Sequence, residues 1–303
     1  MQRRDFLSLG VAGAAGLALG RRALAAPRAA GHGKLGRLAC NSWPFRAYFD
    51  TPALAGYRDP QYPLLQQWEF PEFLADHFGI HSVEFLPQHF AATTPAYVAK
   101  VKAGLRKAHS RMVNLMGVDT PGGIYNPHLD AAAALANGKL WVNIARELGS
   151  PSATFVLDGH APWDPRIAAR NLRPIRDYAA RHGIRILFHN DSMRRESAPQ
   201  IIAVIRGLHG RDAGTCPDFG NFAPKSAAYA LATLRQLIPY CTNICHAKDG
   251  IGEGGHYYRD DFAASMKVME AAHFRGHYSL EYDGPGAPIP HVFHLMQETL
   301  ALL

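Results

Sequence analysis

The sequence predicts an α/β fold, a single (β/α)8 TIM barrel. Eight short runs rich in apolar and β-branched residues alternate with amphipathic helical runs. Glycines at 79, 149, 183, 210 and 276 end helical runs just before a strand. The chain has 303 residues, 48% of them hydrophobic, which suits one barrel. The competing doubly wound sheet requires a G-x-G-x-x-G turn after an early strand, and none is present there.

The predicted elements follow one another along the chain in regular order. The apolar runs at 38–43, 82–86, 112–118, 153–157, 185–189, 214–218, 242–246 and 278–282 predict strands. Helical spacing of apolar residues predicts helices at 94–109, 140–148, 164–181, 199–208, 227–237, 261–272 and 291–302. The composition does not shift abruptly between these units, so we expect one domain over residues 26–303.

The first 25 residues indicate an export signal that precedes the barrel. Arg3 and Arg4 are followed by Phe6 and Leu7, then by a Gly/Ala-rich apolar stretch and Ala-Leu-Ala at 23–25. This pattern resembles a twin-arginine signal peptide and implies a periplasmic or extracytoplasmic location. The apolar stretch of about 15 residues is shorter than the ~20 that a membrane span needs. We therefore expect no membrane span in the mature form.

Charge and cysteine content exclude several classes of protein. The formal net charge is +7. The sequence lacks a basic run interleaved with aromatic residues, which is the pattern typical of proteins that bind a nucleic-acid backbone. The G-x-x-x-x-G-K-[ST] motif that indicates nucleotide hydrolysis is absent from the sequence. The four cysteines lack C-x-x-C spacing, and Cys216 and Cys245 lie in predicted buried strands. We expect these two to be free thiols that act as small apolar residues.

Ionisable residues end four successive predicted strands, where a barrel places its active site. Strands five to eight end with His189, Asp218, His246 and Glu281. Such groups are costly to bury unless they are paired or bound to metal. Two imidazoles and two carboxylates suit a divalent cation such as Mn²⁺, Co²⁺, Zn²⁺, Fe²⁺ or Mg²⁺. A bound cation polarises a carbonyl and stabilises the enediolate that forms when an adjacent C–H proton leaves.

Strand alternation predicts where these side chains point. Leu280 and Tyr282 share one face of the last strand, and Glu281 takes the other. If the apolar pair packs on the helices, Glu281 points into the barrel. His246 and Lys248 share a face, so Lys248 is expected to project above His246.

Four segments together resemble the sugar phosphate isomerase/epimerase family. The family consists of xylose-isomerase-like barrels and also includes endonuclease-IV-type nucleases. The resemblance spans essentially the whole mature chain. Its segments are VEF at 83–85, PDFGNF at 217–222, HAKD at 246–249 and GHYSLEYDG at 276–284.

The resemblance implies a metal site at the carboxyl ends of strands five to eight. Metal-dependent members hold the ion with a Glu, an Asp, a His and a Glu, and Asp218, His246 and Glu281 match the last three. His189 stands where the first Glu is expected. It can ligate a metal, but a metal-bound imidazole replaces a carboxylate base poorly. This difference counts against the two-glutamate mechanism of the epimerases.

Proton transfer is therefore assigned to Glu281, Glu84 or Lys248. Two of these residues also have a structural interpretation: Glu84 can be a buried residue bonded to a neighbouring strand, and Lys248 can pair with Asp249 or Glu281. Trp43 can form an apolar wall against a sugar or cap the core. The candidates for substrate binding are Trp43, His160, Asn221 and His256.

The leading hypothesis for function is a metal-dependent sugar isomerase or epimerase that removes a proton next to a carbonyl. The alternative is a lyase or hydratase that cleaves 3-keto-glycosides by β-elimination, a reaction that one positioned base can manage. The absence of a Glu on strand five favours this alternative. A repair nuclease and a catalytically idle carbohydrate-binding barrel are further hypotheses. In each enzyme hypothesis except the nuclease, the partner is a small carbohydrate.

Overall fold

Eight parallel strands and one short antiparallel strand form the sheet in the described part of the chain. The strands are bonded in the order β6-β5-β4-β3-β2-β1-β9-β7-β8. Their bounds are β1 (Leu38–Asn41), β2 (Ser82–Phe85), β3 (Arg111–Val118), β4 (Ser152–Phe155), β5 (Arg185–His189), β6 (Ala213–Cys216), β7 (Ile244–Ile251), β8 (Tyr257–Tyr258) and β9 (His277–Asp283).

Barrel closure occurs between β6 and β7. Parallel bridges join Thr215 to Cys241 and Asp218 to His246, so the edge strand β6 lies beside β7. The short β8 pairs antiparallel with β7 and is not one of the parallel barrel strands. Because β9 pairs parallel with β7, β9 is the eighth strand of the barrel. This topology confirms the predicted single (β/α)8 barrel.

The computed structural model describes residues 32–157, 163–190, 198–208, 212–221, 226–251, 257–258, 261–284 and 286–303. The predicted signal at 1–25, the helix stop at Gly210 and the candidate substrate ligands His160 and His256 lie outside these residues. No helix in the described ranges is long and apolar enough to cross a membrane.

Helices follow the strands and cover the outside of the barrel. They are α1 (His32–Leu35), α2 (Phe70–Phe78), α3 (Pro95–Lys107), α4 (Ala131–Glu147), α5 (Pro165–Arg181), α6 (Ala198–Gly207), α7 (Ala227–Leu237), α8 (Phe262–Ala271) and α9 (Pro288–Leu302). Side-chain oxygens of Asp130, Asp164 and Asp261 accept backbone N–H groups at the starts of α4, α5 and α8.

Two differences from the sequence prediction have local causes. Helix α2 is additional, and its buried Phe70, Leu74 and Phe78 recur at helical spacing behind a Pro/Gly-rich stretch. The first strand is shorter than predicted, because a 3-10 helix begins at Trp43 with a proline at position 44. Both differences fall in the segment that joins β1 to β2.

The strands present different faces to two hydrophobic clusters. Alternate strand residues such as Leu280 and Tyr282 pack with the helices in the large outer cluster. A smaller cluster lies on the opposite strand faces, inside the barrel, and consists of Ala39, Val113, Leu187, Cys216 and Ile244. Polar side chains fill much of the remaining interior, and they lead to the carboxyl ends of the strands.

Candidate functional site

The carboxyl end of β5, the residues just after β6 and the neighbouring parts of β7 and β9 bring the predicted site residues to one level of the barrel. His189 is in register with Cys216, and Asp218 bridges to His246. Lys248 is in register with Glu281 on the neighbouring strand. Glu281 points inward because Leu280 and Tyr282 pack on the helices. The predicted side-chain directions on β7 and β9 are therefore confirmed.

Four of these side chains converge in an acid–imidazole cluster of His189, Asp218, His246 and Glu281. His189 Nε2 lies 3.0 Å from Asp218 Oδ2. His246 Nδ1 lies 3.2 Å from the same oxygen and 3.3 Å from Glu281 Oε2. All four residues are buried, and Glu281 is the most exposed at 5%. The cluster places two imidazoles and two carboxylates around one point.

Asp218 is held by backbone contacts as well as by the imidazoles. Its N–H donates to Asn190 Oδ1, and its carbonyl accepts from Asn190 Nδ2. Gly220 N donates to Asp218 Oδ1 at 2.8 Å, which leaves Oδ2 for the two imidazoles. Burial alone raises the pKa of Asp218, but the nearby Lys248 and His189 hold it well below the ordinary value. Asp218 is therefore an ionised carboxylate.

Lys248 lies between the cluster and the solvent. Its Nζ is 2.7 Å from Glu281 Oε1 and 3.9 Å from both Asp218 Oδ2 and Asp283 Oδ2. Burial alone lowers the pKa of Lys248, but Glu281, Asp218 and Asp283 raise it above the ordinary value. The ammonium ion is thus the cationic partner of Glu281.

Glu84 lies inside the barrel on the far side of the His246 ring. Its two oxygens are 3.2 and 3.1 Å from His246 Nε2. They also accept hydrogen bonds from Asn114 Nδ2 and Ser279 Oγ. Burial alone raises the pKa of Glu84, but His246 and these two donors lower it below the ordinary value. Glu84 is fully buried, as one of the structural interpretations of this residue anticipated.

A cleft of about 270 Å³ opens above the cluster. Its polar side includes His189, Lys248 and Glu281, and Trp43 forms part of its apolar side. Asn221 follows β6 but is not among the residues that line this cleft. Within the described ranges, the cleft is lined by Trp43, Leu86, Gln88, Met116, Gly117, Asp119, Val156, His189, Lys248, Glu281 and Asp283.

Three site residues were not singled out in the sequence. Asn41 ends β1, and its Nδ2 donates to Glu281 Oε2. Asp283 lines the cleft, and its Oδ1 forms an ion pair with an Arg46 guanidinium nitrogen at 2.9 Å. Asp119 lines the cleft just beyond β3. The strand alternation that predicts an inward Glu281 also puts Asp283 on the same strand face, so the sequence could have predicted that Asp283 belongs to the site.

Three members of the cluster offer ligand atoms that lie close enough together to share one metal ion. His189, Asp218 and His246 offer ligand atoms that all lie within 4.8 Å of one another. Ligands bound at about 2.1 Å in tetrahedral or octahedral geometry lie about 3.0 to 3.4 Å apart. The measured separations of 3.0, 3.2 and 3.3 Å fit that range. These residues could therefore hold a divalent ion.

The predicted free thiols are confirmed. Cys216 and Cys245 are both buried and unbridged. Burial raises the pKa of the Cys216 thiol to about 11, so it is uncharged at neutral pH. These thiols fill space in and around the barrel wall.

Comparison with solved structures finds the same fold in several proteins. A 3-keto-D-glucoside 4-epimerase from E. coli is 13% identical, with a TM-score of 0.61 over 88% of this chain and 99% of that one. D-psicose 3-epimerase from Clostridium cellulolyticum H10 is 12% identical, with a TM-score of 0.60 over 88% and 96%. A barrel protein from Mycobacterium smegmatis, solved in complex with magnesium, is 13% identical, with a TM-score of 0.60 over 87% and 97%.

At these identities the similarity concerns the fold alone. A search of curated proteins finds no match to this chain. A family model described as a xylose isomerase-like TIM barrel matches residues 72–300, which is most of the chain and includes every member of the acid–imidazole cluster. The chain therefore belongs to the xylose isomerase-like TIM barrel family.

Proposed function

We propose that this protein is a divalent-metal-dependent isomerase or epimerase that acts on a small sugar by removing a proton next to a carbonyl. The observation that carries the proposal is the Lys248–Glu281 ion pair. It forms part of the cleft wall directly beside the buried His189, Asp218 and His246. A base, an acid and a cation site thus adjoin one sugar-sized cleft.

The proposed ligands are Asp218, His246, Glu281 and His189, because their donor atoms have the required spacing and are shielded from water. A bound divalent ion supplies a Lewis acid that polarises a substrate carbonyl. Metal analysis of the purified protein identifies which of Mn²⁺, Co²⁺, Zn²⁺, Fe²⁺ and Mg²⁺ is bound. The magnesium complex of the related barrel from Mycobacterium smegmatis is consistent with such a site.

Glu281 is the proposed base. Its Oε2 faces His246 and Asn41, while its Oε1 is held by Lys248 at the cleft. A carboxylate in this position can accept a proton from a substrate carbon. The Lys248 ammonium can donate a hydrogen bond to the substrate oxygen on which negative charge develops.

The substrate is proposed to be a carbohydrate that lies between this polar side and the apolar side of the cleft. Trp43 offers aromatic surface to a sugar ring. His160 and His256 remain proposed contacts, whereas Asn221 lies outside the described lining of the cleft. The sugar substrates named for the epimerases from E. coli and Clostridium cellulolyticum support this class of substrate through fold similarity.

A lyase that cleaves 3-keto-glycosides by β-elimination is the second candidate. It is favoured by His189, which occupies the strand-five position where a second carboxylate base is expected and which contacts Asp218 at 3.0 Å. Elimination requires one base that removes a proton from C2 while the substituent on C1 departs. Epimerisation requires proton delivery to the opposite face as well.

One experiment separates these activities. The full-length protein, loaded in turn with each candidate metal, is incubated in D₂O with ketoses, aldoses and 3-keto-glycosides. Isomerisation or epimerisation incorporates deuterium at carbon and leaves all the carbon and oxygen atoms of the substrate in one molecule, whereas elimination releases the aglycone. If no substrate exchanges a C–H proton and none releases an aglycone, the proposed function is wrong.

We also propose that residues 1–25 direct export by the twin-arginine route and that residues 26–303 are the mature barrel. The Arg3-Arg4 pair, the apolar stretch and the Ala-Leu-Ala at 23–25 support this proposal. Export of a folded protein is compatible with a metal acquired before transport.

A further inference from the structure

Glu84 is a buried carboxylate that does not line the cleft. The His246 ring lies between Glu84 on one side and Asp218 and Glu281 on the other. Among the described residues, His246 is the member of the acid–imidazole cluster that Glu84 contacts. The role of Glu84 depends on which atoms donate and which accept around it.

A chain of hydrogen bonds sets which atoms donate and which accept around Glu84. The chain begins at the half-buried Asn243, at the opposite end of the barrel. Asn243 Nδ2 donates to Ser152 Oγ at 2.8 Å. Ser152 Oγ in turn donates to Asn114 Oδ1 at 2.7 Å. Asn114 consequently presents its Nδ2 donors to Thr154 Oγ1 and to Glu84 Oε1, each at 2.7 Å.

The same polarity applies at the other oxygen of Glu84. Ser279 Oγ lies 2.6 Å from Oε2 and donates to it. With donors from Asn114 and Ser279, Glu84 acts as an acceptor on both oxygens, and the group it faces on His246 must be an N–H. His246 Nε2 is therefore the protonated nitrogen, and Nδ1 is the nitrogen directed at Asp218 and Glu281.

We infer that Glu84 is a positioning residue: it fixes the His246 ring through Nε2–H and so commits Nδ1 to the metal position. The inference rests on the proposed metal site. A carboxylate that accepts the second N–H of a ligating imidazole typically changes metal affinity by about 10- to 100-fold when it is removed. The Asn243–Ser152–Asn114 chain holds the carboxylate in this role.

The test measures metal binding and the state of the imidazole, and does not require activity. The full-length wild-type, Glu84→Gln and Glu84→Leu proteins are titrated with Zn²⁺ alone and with Mn²⁺ alone by calorimetry. Glu84→Gln retains an acceptor for Nε2–H, and Glu84→Leu retains only approximate volume. We expect affinity to fall by about tenfold in Glu84→Gln and by about 100-fold in Glu84→Leu.

Two further measurements make the result specific. Glu270→Gln is the matched control, because it removes a carboxylate paired with Arg37 in a different part of the fold, and its metal affinity is expected to equal that of wild type. In the Zn²⁺-loaded wild type, ¹⁵N NMR of histidine side chains is expected to show His246 with Nε2 protonated and Nδ1 bound to metal. Circular dichroism confirms that each variant is folded, and Glu84→Gln alone decides the test if Glu84→Leu does not fold.

The outcomes distinguish this inference from the proposed function. Equal metal affinity in the wild-type and Glu84→Gln proteins, or metal bound through Nε2, overturns the positioning role and leaves the metal site intact. A folded wild-type protein that binds neither ion overturns the proposed metal site and this inference together. Graded loss from wild type through Gln to Leu supports the positioning role.

Discussion

Lys248 Nζ lies 2.7 Å from Glu281 Oε1, across the register pair that joins β7 to β9. Two neighbouring strands thus present opposite charges at the base of the cleft, with little solvent around either group. Both residues line the cleft, next to the buried Asp218 and His246.

Replacement of Glu281 by Gln is expected to remove most proton transfer. The change leaves the side-chain shape but removes the base and the anionic partner of Lys248. We expect solvent deuterium exchange on the responsive sugar to fall by about 10²- to 10⁴-fold. NMR of the sugar in D₂O measures the rate, and Glu270→Gln serves as the control. Exchange at the wild-type rate would assign the base to another residue.

Replacement of Asp218 by Asn is expected to abolish stoichiometric metal binding. Asp218 contacts both imidazoles of the cluster, and an amide is a weak ligand. In the metal-free protein, the change also leaves buried cationic partners without their anion, at a cost of about 3–5 kcal/mol in unfolding free energy. Elemental analysis and urea unfolding measure the two effects. Retention of one metal ion per chain would contradict the assigned ligand set.

Replacement of Gly220 by Ala is expected to displace Lys248. A Cβ at Gly220 would lie 2.7 Å from Lys248 Cγ and 2.9 Å from its Cδ, so the lysine stem must shift. We expect at least about a tenfold loss of exchange rate, which corresponds to about 1.4 kcal/mol of barrier. Gly56→Ala is the matched control because nothing lies within 4 Å of its added Cβ. Equal rates in the two variants would show that Lys248 tolerates the shift.

His89 is expected to make the fold sensitive to acid. It is 1% exposed, and burial, together with the nearby Arg46, lowers its pKa from 6.5 to about 3. Below pH 6.5 the unfolded chain gains a proton that the folded chain excludes, so stability falls with pH down to about pH 3. The slope is about 1.4 kcal/mol per pH unit, and above pH 6.5 the group contributes no slope.

The test of His89 is a comparison with His89→Phe, which keeps an aromatic ring beside Phe49 and Trp43. Urea unfolding at pH 7 and pH 5 is expected to show that wild type loses about 2 kcal/mol more than the variant over this interval. Parallel losses in the two proteins would show that other groups dominate the acid response.

Replacement of Arg3 and Arg4 by Lys is expected to block export. The Arg3-Arg4 pair is the feature of the proposed leader that distinguishes the twin-arginine route, and Lys keeps the positive charge. Fractionation of cells that express the full-length chain measures the location and the processing of the protein. A processed, exported double variant would show that export does not depend on the arginine pair.

Much of the candidate site could be predicted because its signals are local. Polar residues that interrupt apolar strands identified His189, Asp218, His246 and Glu281, and alternation gave their directions. Helix α2 was missed although its apolar residues repeat at helical spacing, because the surrounding segment is rich in turn-forming residues.

The sequence by itself determined the fold class, the alternation of the eight barrel strands with most of their helices, and the polar residues near the strand ends. Only the tertiary structure decided that Glu84 meets His246 across 162 residues and that Asn114 orients it. The physical reason is that hydrophobic pattern and alternation act within one strand. Contacts across the barrel depend on the register and closure of all eight strands, which are set by packing of the whole chain.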